Sequence, residues 1–322
     1  MKTNRQSTLS RTRNNRFGWL LFAGLFMAVA FACTKQEIIT IEDNDAPYYD
    51  EIPTLLVENY INKLFIDLLG REPTDIEMAE EVEILQNNKL QRAAREALII
   101  KLQRDTSYRE GDISYKHAYY NQLYNMVKAH LIEGASSDEI NELLGPLHFS
   151  LTEYLAGGGM VSDSFYVATY KEVHKLEILL GAGDAYREDS IGIVDLFKIT
   201  INNAVYDQIN MNTFNFVNAT FDNLFYRYPT TEEFYIAYDM IENFTSGQLF
   251  GQIGSNKDDY ISILGNSLEL SEGIIIWSYE SLLARRPTTQ ETYDVLLDFH
   301  NEQNLQNLQL RLMRSDEYAN FN

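Results

Sequence analysis

The chain has 322 residues, and its 47 acidic against 26 basic side chains give a net charge of −21. Such a charge repels nucleic acid and anionic lipid headgroups, so neither a nucleic-acid partner nor a basic membrane-binding face is expected. The single cysteine excludes internal disulfides, zinc ribbons and Cys-x-x-Cys-His haem attachment, while 45% hydrophobic residues and only six prolines suit a folded chain.

Residues 1–16 carry Lys2, Arg5, Arg11, Arg13 and Arg16 and no acid, and residues 17–32 (FGWLLFAGLFMAVAFA) are a sixteen-residue apolar run ending in small residues. This is the pattern of a secretory signal, 1–32. The run is short for a permanent span, which needs roughly 20 apolar residues. Cys33 follows directly, and a lone cysteine after Ala-Phe-Ala resembles the lipobox of bacterial lipoproteins. That resemblance implies cleavage before Cys33, fatty acylation of its thiol, and a lipid anchor as the means of membrane attachment. Loss of 1–32 would leave 21 basic against 47 acidic residues, a net charge of −26. Residues 33–53 have no helical periodicity and six acids, and are expected to be a solvated tether. Thr34 beside the cysteine resembles lipoproteins sent to the outer membrane. Lys35, Gln36 and Glu37 resemble the short polar export signal of Bacteroidota surface lipoproteins.

The body is organised around a repeat. LFIDLLGREPTDIE at 64–77 recurs as LFYRYPTTEE at 224–233 and LLARRPTTQE at 282–291. Upstream, Ile61, Phe65 and Leu68 correspond to Val217, Phe221 and Leu224, and to Ile275, Tyr279 and Leu282. That spacing is one face of a helix. The residue before proline is pushed out of the helical region, so each helix should stop near Arg71, Arg227 and Arg285. Thr74 with Glu77, Thr230 with Glu233 and Thr288 with Glu291 are Thr-x-x-Glu capping boxes that open the next helix. The third element of each unit is expected to end at Asp-Thr-Ser-Tyr (105–108), Lys-Asp-Asp-Tyr (257–260) and Ser-Asp-Glu-Tyr (315–318).

Between the first and second copies, 88–104 is a strong helix former, and Tyr120, Tyr124, Val127 and Leu131 mark a helix halted at Gly134. A short helix from Ser137 should end at Gly145-Pro146, and the glycines at 157–159 read as a loop. A helix over 162–180 should stop in Gly-Ala-Gly-Asp-Ala at 181–185, and one more is expected along Val194, Phe197, Ile201 and Val205. No stretch alternates with period two, so the fold class is all-α, a multi-helix array of three helix, Pro-Thr corner, helix repeats. The expected organisation is an N-terminal helical region, 54–185, and a C-terminal one, 186–322, with the third copy as the edge of the array. The LLGREPT string, followed by helices and a Ser-x-Glu-Tyr ending, resembles the LLGR-type helical modules of bacterial surface proteins. It is also similar to the Arg-x-Pro-Thr-x-x-Glu corners of planctomycete secreted proteins; neither resemblance implies an activity.

His117, His130, His148, His174 and His300 show no His-x-x-x-His pair, no Gly-x-Ser-x-Gly is present, and no metal or cofactor is expected. Arg71, Arg227 and Arg285 are the shared polar residues. One expectation is that they neutralise helix-end carbonyls or the capping-box carboxylates; the sharper one is a row of anion or partner contacts. The chain is therefore expected to be a non-enzymatic outer-membrane lipoprotein, a binding or assembly subunit for another envelope protein. The second reading is a glycan-binding or glycan-degrading accessory of a nutrient-uptake system, for which the 21 tyrosines offer surface.

Overall fold

The computed structural model describes residues 52–109 and 111–321, and Glu51–Asn322 form one compact unit. The leader, Cys33 and the tether as far as residue 51 lie outside the described residues. The chain is all-α. The first repeat is α1 (Thr54–Leu69), α2 (Asp75–Asn87) and α3 (Arg92–Arg104). The part without a counterpart supplies α4 (Tyr115–Leu131), α5 (Ser137–Ala156), α6 (Ser164–Arg187), α7 (Ile193–Ile201) and α8 (Ala204–Asn210). The second repeat is α9 (Thr213–Phe225), α10 (Thr231–Glu242), a hairpin of β1 (Gly247–Leu249) and β2 (Gln252–Gly254), and α11 (Lys257–Gly265). The third is α12 (Leu268–Leu283), α13 (Thr289–Glu302) and α14 (Leu305–Met313), and α15 (Asp316–Ala319) follows it.

The first helix of each copy turns the same face inward: Ile61, Phe65 and Leu68, then Val217, Phe221 and Leu224, then Ile275, Tyr279 and Leu282 are all buried in one continuous core. Each such side chain contributes about 1.5–3 kcal/mol of burial. The helices end two residues before the arginines, with one cap residue between. Gly70, Tyr226 and Ala284 adopt left-handed backbone (φ 74°, 55° and 53°) and donate their N–H to Ile66, Asp222 and Glu280 carbonyls. This left-handed residue, as well as the proline beyond it, makes the stop and turns the following arginine toward the next helix. Where α9 crosses α12 the backbones nearly touch, since a Cβ on Gly273 would lie 1.8 Å from the Leu224 carbonyl oxygen.

Several expected boundaries move. Helix α5 runs through Gly145-Pro146, carried by Ile140, Leu144 and Leu151 buried along one side. Helix α6 runs through 181–185 because Gly183 serves packing there, where a Cβ would stand 3.1 Å from the Tyr124 ring of α4. The single helix expected over Val194 to Val205 is two. Asn203 closes α7 by donating to the Ile199 and Thr200 carbonyls at 2.9 and 2.8 Å, and opens α8 by accepting from Val205 and Tyr206 amides. The β1–β2 hairpin, three residues per strand, is antiparallel, and its alternation is too short to register in the sequence.

The third copy is not an edge, because α15 packs against α1. Tyr318 donates to Asp67 Oδ2 at 2.7 Å, Tyr60 to the Met313 carbonyl at 3.1 Å, and Lys63 to the Leu282 carbonyl at 3.1 Å. Behind them, Tyr119 donates to Gln309 Oε1 at 2.6 Å and Gln306 to the Tyr120 hydroxyl at 3.0 Å. First and third copies thus close on each other through long-range polar contacts that local periodicity does not encode.

Candidate functional site

The corners form three copies of one ion cluster. In the first, Arg71 Nη1 and Nη2 donate to Glu77 at 2.9 and 2.8 Å, Nε and Nη2 donate to Asp112 Oδ2 at 2.8 and 2.6 Å, and Nη1 also reaches the Glu72 carbonyl at 2.8 Å. In the second, Arg227 makes the same two contacts to Glu233 at 2.9 and 2.8 Å and two to Glu269 at 2.6 and 2.8 Å, with the Tyr228 carbonyl at 3.1 Å. In the third, Arg285 holds Glu291 at 2.9 and 2.7 Å, Glu317 at 2.5 and 2.8 Å, and the Arg286 carbonyl at 3.1 Å. A guanidinium has five N–H donors, and each of these is matched by an acceptor. One cation faces two carboxylates at every corner, so the fork offers an external anion neither a free donor nor a positive field.

The same glutamates close the capping boxes. Thr74, Thr230 and Thr288 amides donate to Glu77, Glu233 and Glu291 at 2.8, 2.7 and 2.7 Å, and the glutamate amides donate back to the threonine hydroxyls at 3.3, 3.2 and 3.2 Å. Burial opposes ionisation of Glu77, but Arg71, the Thr74 amide and the Tyr115 hydroxyl together hold its carboxyl at about 2. Arg227 above all holds Glu233 at about 2, and Arg285 does the same for Glu291.

Each arginine therefore ties the corner to the entrance of the helix that packs on its own copy: α4, α12 and α15. Asp112, Glu269 and Glu317, the second partners, were not singled out by the sequence pattern. The signal was present as Ser267-Leu-Glu-Leu against Ser315-Asp-Glu-Tyr, both opening a helix with a serine cap. The ten-residue excess between Arg and second acid in the second copy, 42 against 32, reflects the β1–β2 hairpin. The alignment of Tyr260 with Tyr318 is thus corrected: Asn256 opens α11 as Asn304 opens α14, which pairs Tyr260 with Leu308. Tyr108 is 80% exposed, outside the repeat's packing.

Of the five histidines, His148 and His174 share a neighbour and the other three have separate surroundings. His130 Nε2 is 2.9 Å from the Asn223 carbonyl oxygen beneath Trp277 and Tyr226, and burial lowers its pKa. His148 and His174 flank Glu177 at 3.5 and 3.8 Å, and His117 Nδ1 lies 3.1 Å from the Asn121 amide. His300 Nδ1 stands 2.9 Å from Ser271 Oγ, a contact the sequence did not suggest. Ser271 is buried between α12 and α13, and no carboxylate among the described residues hydrogen-bonds the His300 ring, so this pair lacks both access and the third member of a nucleophilic triad. Among the described residues no group of three or more His, Cys, Asp or Glu side chains is placed to hold a metal ion.

An open cavity of about 340 Å³ lies between α6, α7 and α11. Its cations are internally neutralised: Lys175 Nζ meets Asn202 Oδ1 at 3.0 Å and Asp258 at 3.3 Å, Lys171 also pairs with Asp258, and Lys198 meets Asp195 at 2.9 Å. A second, of about 350 Å³ beside α5 and α8, is lined by Glu133, Glu139 and Glu142. Trp277, the tryptophan of the body, is buried.

Exposed apolar residues concentrate instead on the α5–α6 hairpin, where Phe149 is 67%, Met160 63%, Val161 61% and Phe165 47% exposed. Along α6, Tyr166, Tyr170 and His174 stack in sequence with ring centroids 6.1 and 6.3 Å apart. A second exposed group, Met211, Phe214, Tyr235 and Phe244, lies on the second repeat. No family model, curated protein or solved structure matches the chain.

Proposed function

We propose that this chain is a non-enzymatic lipoprotein of the bacterial outer membrane, acylated at Cys33, that serves as a binding or assembly subunit for another envelope protein. The observation that carries the binding reading is the display of Phe214, Tyr235 and Phe244 on the outward face of the second repeat rather than in an enclosed cleft. The corner arginines support a scaffold role, since every donor is spent within the fold. The sequence contributes the leader, Cys33 and the acidic tether; no helix among the described residues is long and apolar enough to cross a membrane. The glycan reading draws on exposed Tyr108, Tyr228, Tyr235 and Tyr293. It would call for an aromatic cleft with paired carboxylates, whereas the two cavities described above are lined mainly by aliphatic and ionic side chains and the one beside Tyr293 has that single aromatic ring. The test is recovery of the acylated protein from outer membranes in several mild detergents, followed by mass spectrometry. A stoichiometric protein partner is expected; the bare protein alone in every detergent would overturn the assignment.

A further inference from the structure

The tip of the α5–α6 hairpin is built to present apolar side chains. Its last buried residue on α5 is Leu151 and the first on α6 is Val173. From Ser164 to Val173 helix α6 runs nine steps, about 14 Å at 1.5 Å per residue, before its first fully buried side chain. Residues 149–170 contain two charges, Glu153 and Asp163, in a chain whose overall composition is 23% charged. Asp163 is turned inward, accepting from the Tyr154 hydroxyl at 2.7 Å and the Met160 amide at 2.8 Å. Tyr154 packs on Phe165 with ring centroids 4.8 Å apart, and Gly158 turns the chain with φ 94°. The turn is thereby fixed with Met160 and Val161 at its apex and Phe149, Leu155 and Phe165 on its flanks, all exposed.

We propose that this tip is a second membrane attachment, inserting into the interfacial layer of the bilayer to which Cys33 is anchored. The proposal rests on the lipid-anchor reading for its occupant. Eighteen residues separate Cys33 from Ile52, where the described chain begins, a reach of at most about 65 Å at 3.3–3.6 Å per residue. The bilayer that would hold Cys33 therefore stays within that reach of Ile52, which keeps an apolar phase beside the body. Charge points the same way, because anionic headgroups repel the acidic body far more than the tip, whose only charges are Glu153 and Asp163. Interfacial elements bury about 5–10 Å of apolar face, a depth this stretch of α6 supplies, and tyrosine and phenylalanine suit the boundary between water and acyl chains.

The test separates this proposal from the anchor. The leaderless chain carrying Cys33→Ser, with no acyl group, is floated with zwitterionic phosphatidylethanolamine–phosphatidylcholine vesicles on a density gradient. The protein is expected to rise with the vesicles at low and high salt alike, since the attraction is apolar. Met160→Asp with Val161→Asp should lower the floated fraction by at least about tenfold, with the helical circular-dichroism signal unchanged. Leu155→Ser, outside the Tyr154–Phe165 contact that fixes the turn, should weaken it further. Absence of the parent chain from the floated fraction, or equal flotation of the variants, overturns the proposal whether or not Cys33 is acylated. So does a photo-crosslinker at position 161 that captures a protein and no phospholipid in cells.

Discussion

Arginine-to-alanine substitutions at the three corners form an internal series in which the chemistry is the same and only the depth changes. The side-chain exposures of the two carboxylates are 10% and 13% around Arg71, 20% and 30% around Arg227, and 31% and 47% around Arg285. Removing one member of a fully buried pair costs about 3–5 kcal/mol, because a charge is left desolvated, whereas a surface pair is worth about 0–1 kcal/mol. Holding Glu77 at about 2 against an ordinary 4.5 corresponds to at most about 3 kcal/mol, less whatever solvent screens. Arg71→Ala should therefore cost about 3 kcal/mol, Arg227→Ala about 2 and Arg285→Ala about 1, interpolating between those limits. Arg71→Lys should recover part of the loss, since it restores the charge without the fork. Urea and thermal unfolding of the leaderless Cys33→Ser chain measure the series, with each kcal/mol moving the midpoint by about 2–4 °C in a protein of this size. Equal costs at the three corners, or a reversed order, would refute the argument from burial. Loss of partner binding by Arg227→Ala at an unchanged midpoint would make the corner a recognition site.

Thr230→Ala should lower stability by about 0.5–2 kcal/mol and Thr230→Ser should be near neutral, because serine keeps the oxygen that accepts the Glu233 amide; denaturant unfolding reads both. Ala284→Gly should stabilise by about 0.5–1 kcal/mol, since φ 53° costs alanine but not glycine; a lowered melting midpoint would contradict this. Gly273→Ala should destabilise by more than about 3 kcal/mol or prevent folding, because its methyl would overlap the Leu224 carbonyl of the crossing helix; expression and melting temperature decide it. Glu77, Glu233 and Glu291 titrate at about 2 when folded. Their stabilisation is complete above the unfolded-chain value near 4.5 and is lost as pH falls from there toward about 2. Arg71→Ala should flatten that acid limb, as measured by unfolding midpoints across the interval.

What the sequence made legible was local. A helix face repeats every three or four residues, and a Thr-x-x-Glu corner announces itself within four, so the amino-acid pattern alone places three helix pairs. The second carboxylate of each cluster lies 32–42 residues from its arginine, across a helix pair and in one copy a hairpin. Only the Ser-x-Glu pattern of the second and third copies hinted at it, and the tyrosine endings of the units misdirected the alignment. Pro146 and Gly183 misled for another reason: both are helix breakers by propensity, overridden by packing of Leu144 and Leu151 in one case and of Tyr124 in the other. Closure of the first copy on the third depends on Tyr60, Lys63 and Tyr318, whose partners lie more than 200 residues away. The exposed hairpin was hidden because residues 149–170 have the composition of a core segment, and only the fold shows that none of the described residues covers Met160 and Val161.

The proposed attachment of this acidic helical body to the outer membrane rests, above all, on a fatty acyl group at Cys33. Metabolic labelling with a clickable palmitate analogue, comparing the full-length protein with Cys33→Ser in a bacterial host, tests that attachment most directly. Label is predicted on the parent protein, recovered in the outer-membrane fraction, and none on the variant, which should accumulate as the longer, uncleaved precursor. Equal labelling of both, or label on neither, would contradict the lipid anchor.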